Sequence, residues 1–246
     1  MARKFKEDEL KSPPSEGFAV VCEGATEVNY MQSIQGLLKA KVTPAVSKDG
    51  IDYLIAEVEK CVKTGYETIF VLVDKDKYLS NPKEYTNFVA RYGRDSNGDA
   101  YTEGCSKVVI IENHPCIEIW FYYYYDYTTG VYNSYDSIDP LKEKLRTVLP
   151  GYDKPDKING NRVGGLHSYL TYKSGDLNIA LENSKKSMIS HANGGAIAFS
   201  EMKIMFDMIL KESVKSDLEI YQKEEAKTLA KEAAKAKYGT MPSDNL

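Results

Sequence analysis

Three runs of β-branched and aromatic residues constrain the fold more than any other feature: Phe18-Ala19-Val20-Val21, Thr68-Ile69-Phe70-Val71-Leu72-Val73 and Lys107-Val108-Val109-Ile110-Ile111. A strand that is apolar at nearly every position belongs in a sheet covered on both faces. Between the runs, Ala25 to Lys39 and Ile51 to Lys63 carry apolar residues near helical spacing, the second with Leu54, Val58, Cys61 and Val62 near one face. Val42 to Val46 reads as a short strand between those helices, and Asn81 to Arg94 as a further helix opening on Asn-Pro, where the missing proline N–H is not needed. The resulting β-α-β-α-β-α-β alternation predicts an α/β fold: a parallel sheet flanked by helices and joined by right-handed crossovers.

Carboxylates sit where two of these strands stop. Cys22-Glu23-Gly24-Ala25-Thr26-Glu27 follows the first run and Asp74-Lys75-Asp76 follows the second. In an open parallel sheet the loops at the carboxyl ends of the strands converge, which brings Glu23 and Asp74 to one edge. If the chain stays extended, Asp74 and Asp76 face the same way while Lys75 points elsewhere. Glu23 and Glu27, four apart, share a face if the helix starts at or before Glu23. Two to four carboxylates completed by substrate phosphates make a ligand set for Mg2+ or Mn2+, the working part of phosphoryl-transfer sites. The plainer reading makes Glu27 a first-turn acid favoured by the helix dipole, and Asp74 and Asp76 turn formers.

The order of these signatures resembles the Toprim fold of topoisomerases, primases and OLD-family nucleases. Glu23-Gly24-Ala25-Thr26-Glu27 is similar to the Glu-Gly-x-Thr-Glu opening of the OLD-like and RloB-like branch. Asn113-His114-Pro115-Cys116-Ile117-Glu118-Ile119-Trp120 resembles the Ser-Asn-Pro-Cys-Phe-Glu-Leu-Trp segment of RloB-like proteins, with Asn113 in place of Ser, His114 of Asn and Ile117 of Phe. Weaker echoes at 149–154 and 180–185 extend the resemblance over roughly Phe18 to Leu210. It implies a Toprim-like domain from restriction-linked or abortive-infection loci, often encoded beside a partner ATPase, with metal-dependent nuclease relatives. Glu23, Asp74 and Asp76 would then be catalytic metal ligands, Glu27 a further ligand, and Asn113, His114 and Glu118 neighbours of the site.

At 246 residues, 42% apolar and 28% charged, the chain has material for a real core. The segment 1–16 reads as a charged arm, 17–130 as the Toprim-like domain, 131–216 as a mainly helical lobe and 217–246 as a charged helical tail. Helices are predicted at Asp139 to Val148, Asp176 to Ser190 and Ser200 to Val214, with turn-rich segments at 159–165 and 193–195 between them. Lys223, Lys227, Lys231 and Lys235 recur every fourth residue of the tail, a solvated face or a contact for phosphates or an acidic partner. No run is long enough to span a bilayer and the start has no signal-peptide core, so a cytoplasmic location without membrane contact is expected. The four cysteines and three histidines show no zinc spacing, and the thiols read as reduced and structural.

Ile117, Trp120, Phe121 and Tyr124 form a helical stripe read as core, whereas Glu118, Tyr122 and Tyr125 form a second stripe open to packing or to base stacking. His114 reads as a packing or capping residue, with phosphate binding or acid–base work the alternative. Asp95 to Glu103 partly imitates a calcium loop but lacks its glycine and closing glutamate, so it reads as a solvated turn. Two functions remain open: a Mg2+-dependent nuclease acting on DNA or RNA, tRNA included, and a non-catalytic Toprim-like regulatory or scaffold subunit. The net charge of −4 argues against a broadly basic coat but not against a local groove.

Overall fold

A computed structural model of the chain describes residues 17–38, 42–46, 50–78, 82–93, 101–103, 106–128, 130, 138–152, 165–195 and 198–211. The order begins β1 (Phe18–Cys22), α1 (Ala25–Leu38), β2 (Val42–Val46), α2 (Ile51–Thr64) and β3 (Thr68–Asp74). A 3-10 turn (Lys75–Tyr78) leads to α3 (Pro82–Tyr92), β4 (Tyr101–Glu103), β5 (Ser106–His114) and α4 (Glu118–Tyr123). Then follow α5 (Ile138–Val148), α6 (Gly165–Tyr172), α7 (Leu177–Ala192), β6 (Phe199–Ser200) and α8 (202–211). The charged arm 1–16, the tail 217–246 and most of the calcium-like loop lie outside the described residues.

The sheet order is β2-β1-β3-β5-β4, with β6 also on β5. β1, β2, β3 and β5 run parallel, as the alternation predicts. The other edge of β5 is shared by two antiparallel pieces, β4 near its start and β6 at its end. Thus the last three residues of the loop read as a solvated turn, Tyr101 to Glu103, are strand.

Strand alternation sorts the side chains into two layers. Phe18, Val20, Cys22, Phe70, Leu72, Val109 and Ile111 face one core with α1 and α4, while Ala19, Val21, Ile69, Val71, Val73, Val108 and Ile110 face another with α2 and α3. Both faces are covered, which is why these strands read as unbroken apolar runs. The later helices join the first core: Leu141, Leu145, Leu149, Leu166, Met202, Phe206 and Ile209 belong to the same cluster as Trp120 and Phe70.

Three local expectations change. The 3-10 turn begins at Lys75, so Asp76 is not on an extended segment and does not alternate with Asp74. The strand expected over 107–111 runs on to His114. Every residue of α4 is buried, Glu118 and Tyr122 with the rest, so the stripe left open packs inside and only Tyr125 stays partly exposed. Among the described residues, no helix is long and apolar enough to cross a membrane.

Candidate functional site

Central strands β1 and β3 pair in register, Cys22 beside Leu72, and β3 pairs with β5 so that Asp74 lies beside Asn113. β3 and β5 therefore run on past the end of β1, and Glu23-Gly24 leave β1 alongside the last residues of β3. After β1 the turn is Glu23-Gly24, and the Gly24 carbonyl accepts the first helical bond, from Val28 N–H at 3.4 Å. Helix α1 starts at Ala25, so the condition for Glu23 and Glu27 to share a helical face is not met. The Glu27 carboxylate lies against the Glu23-Gly24 turn instead. A Cβ on residue 24 would lie 3.0 Å from Glu27 Oε2, so a side chain there would make the Glu27 carboxylate shift.

Asp74 ends β3 with its Oδ1 accepting the Ile117 N–H at 2.9 Å, just before α4. Asp76 donates its backbone N–H to the Pro115 carbonyl at 3.0 Å, tying the 3-10 turn to the same junction. Because α4 begins at once, its first residue, Glu118, turns inward among the others. Glu23, Glu27, Asp74, Asp76 and Glu118 are thus all buried, none more than 9% exposed.

Their mutual repulsion acts on Asp74. Burial first, then Glu27, Glu118, Glu23 and Asp76, push its pKa well above the ordinary 3.8. Two thiols flank the group: burial and the charges of Glu27, Asp74 and Glu23 raise Cys22, while burial with Glu118 and Asp74 raises Cys116. Among the described residues, Cys22, Cys61 and Cys116 are buried free thiols.

Tyrosines hold two of the acids. The Tyr78 hydroxyl donates to Glu23 Oε1, and the Tyr152 hydroxyl donates to Glu118 Oε1 at 3.3 Å. Sequence reasoning gave neither a role at the site: Tyr152 falls within the weak echo at 149–154 without marking a contact, and the only signal for Tyr78 was its place one turn after Asp74. Of the lysines nearest the acids in sequence, Lys75 is held by Glu112 at 2.9 Å. Lys107 is exposed and lies beside Thr68, at the other end of the sheet.

Asn113 and His114 are turned to β6. Asn113 Oδ1 accepts from Ser200 Oγ at 2.7 Å, and the His114 ring lies 6.1 Å from that of Phe199. Both are buried, and their observed work is to fasten a two-residue strand.

Chemically this is an all-oxygen donor set of the kind hard divalent cations take. Its present arrangement is not a coordination shell: among the described residues, no three His, Cys, Asp or Glu side chains are placed to hold a metal ion. The acids are instead directed at protein donors, Glu23 at Tyr78, Asp74 at Ile117 N–H and Glu118 at Tyr152.

The sequence model of the RloB-like protein family matches residues 18–209. No curated protein and no solved structure matches the chain.

Proposed function

Because the chain belongs to the RloB-like protein family, we propose that it is a Mg2+- or Mn2+-dependent nuclease with a Toprim-like centre, serving a phage-defence or restriction-linked system with a partner ATPase. The observation that carries this reading is the burial of four further carboxylates around that of Asp74. Like charges withdrawn from water repel strongly and need protons or a cation to offset them. Glu23, Glu27, Asp74 and Asp76 would be the ligands, and Glu118 would complete their negative wall. A bound divalent ion would supply a more acidic water and charge stabilisation on a scissile phosphate.

The chain's own part is positioning. Ile117 N–H sets the Asp74 carboxylate, Tyr78 sets Glu23 and Tyr152 sets Glu118. The covered sheet and the buried α4 keep bulk water away from these groups, which strengthens their electrostatics. Nucleic acid would provide the remaining oxygen ligands through its phosphates.

One observation favours the alternative, a regulatory or scaffold subunit: the acids are directed at protein donors and do not form a ligand shell. Cleavage decides. Mixed DNA and total RNA are incubated with Mn2+ and wild type, Glu23→Gln or Asp74→Asn, at matched thermal stability. The expected loss in each variant is on the order of a hundredfold, the scale of a removed transition-state charge contact. Undiminished cleavage in both variants would sink the assignment. No cleavage by any sample, with the cognate ATPase added, selects the scaffold.

A further inference from the structure

On the α3 side of the same strand ends stands a row of rings around one cation. Lys75 Nζ, paired with Glu112 Oε2 at 2.9 Å, lies 6.0 Å from the centroid of Tyr85 and 5.3 Å from that of Phe199. Glu112 also accepts the Tyr85 hydroxyl, and its own N–H donates to Glu201 Oε2 at 3.0 Å, so the lysine's counter-ion is fixed from two sides. On one flank Tyr85 stacks on Tyr78 at 5.2 Å and 18°, and Tyr78 is the residue that donates to Glu23. On the other flank an exposed imidazole, His191, lies flat on Phe199 at 4.0 Å and 20°.

Helix α7 holds this arrangement against β6. Ser184 Oγ donates to the Ser200 carbonyl at 2.6 Å and Ser187 Oγ accepts the Ser200 N–H at 3.3 Å, clamping the inward stripe of α7 onto β6. His191 is the next residue of that stripe, one turn on, and is thereby held against Phe199. Phe199 itself is 2% exposed, so the solvent-facing member of the stack is the imidazole.

We propose that His191, seated on Phe199, whose ring also lies 5.3 Å from Lys75 Nζ, is a stacking platform for an unpaired base of a single-stranded nucleic acid. A planar ring offered at an edge takes the π-face of any base, and a base in a duplex has no face to give. The carboxylates Glu112 and Glu201 offset Lys75, which leaves stacking rather than phosphate attraction as the main source of affinity. The row reaches the acids at both ends of the 3-10 turn: Lys75 lies between Asp74 and Asp76, and Tyr78 bonds Glu23. The proposal deepens the nuclease reading by naming single strands as its substrate, and rests on that reading for its purpose alone.

Binding in chelator separates the two, because it needs no metal. Fluorescence anisotropy is read on a labelled single strand of about 12 nucleotides, within the span of one stacking groove, as DNA and as RNA, and on the same strand in duplex. His191→Ala should weaken single-strand binding about tenfold, while His191→Tyr, which keeps a ring, stays within about twofold of wild type. Neither should alter duplex binding. Wild-type single-strand binding unaltered by His191→Ala, equal losses on single strand and duplex, or no single-strand binding by wild type would each overturn the platform. Thermal unfolding of both variants guards against a folding effect. Failure of the nuclease reading would show elsewhere, as cleavage undiminished by both Glu23→Gln and Asp74→Asn.

Discussion

Asp74 is buried against its own charge, and the consequence is a stability that depends on pH. Its folded pKa lies above the ordinary 3.8, so the folded state binds this proton more tightly than the unfolded state. Stability from this group is therefore present at low pH and lost as pH rises from 3.8 through the raised value. Asp74→Asn keeps an oxygen to accept the Ile117 N–H and removes the charge; Ala would leave that buried N–H unmet, so these acids cannot be cut back without cost to folding. In chelator at neutral pH, Asp74→Asn should raise Tm by roughly 2–4 °C, the effect of about 1 kcal/mol in a domain of this size. The gap between variant and wild type should shrink as pH falls towards 3.8. A variant less stable than wild type at every pH would show that the cluster carries no strain. The acids themselves were legible because each ends an apolar run or sits in a motif. Tyr78 and Tyr152 were not, since their contacts join residues 55 and 34 apart in sequence.

Among the elements, length decided what could be read. β1, β3 and the first two helices announce themselves by long patterns, and their expected and observed limits agree closely. β6 has two residues and its hydrogen bonds to β5 have no sequence signal. α6 was hidden because it starts at a glycine that closes a turn-rich stretch. That glycine is required by contact: Gly165 has φ +73°, and a Cβ there would lie 2.5 Å from Ser33 Cβ on α1. Ser33 Oγ also accepts the His167 N–H at 2.8 Å, so α6 is pressed and bonded onto α1. Gly165→Ala should cost about 2 kcal/mol or more, from the left-handed backbone and the overlap together. Adding Ser33→Gly removes the overlap, and the double variant should be more stable than the sum of the single losses predicts. Strict additivity in chemical denaturation would contradict the close approach.

At the scale of the molecule the helices of the second half and the strands of the first share a core. Trp120, fully buried, packs edge-on to Tyr30 of α1 and tilts against Phe206 of α8, with ring centroids 6.3 Å and 5.6 Å apart. Trp120 fluorescence and far-UV circular dichroism should therefore report one coincident unfolding transition. Two separated transitions would mean that the sheet and the later helices fold apart. The same shared core explains why the site is closed on the α4 side: Tyr152, following α5, reaches Glu118 from the second half of the chain. The alternation of strands and helices made the sheet legible, whereas the way later helices return to one face of it depends on contacts between residues far apart in sequence. The central claim remains the cation. Mn2+ binding, followed by calorimetry on wild type and Asp74→Asn with a short oligonucleotide present, tests it most directly: wild type should bind, and the variant should bind at least about tenfold more weakly, as loss of a charged oxygen ligand requires. Equal uptake by the two proteins, or uptake by neither, would contradict a metal centre built on these carboxylates.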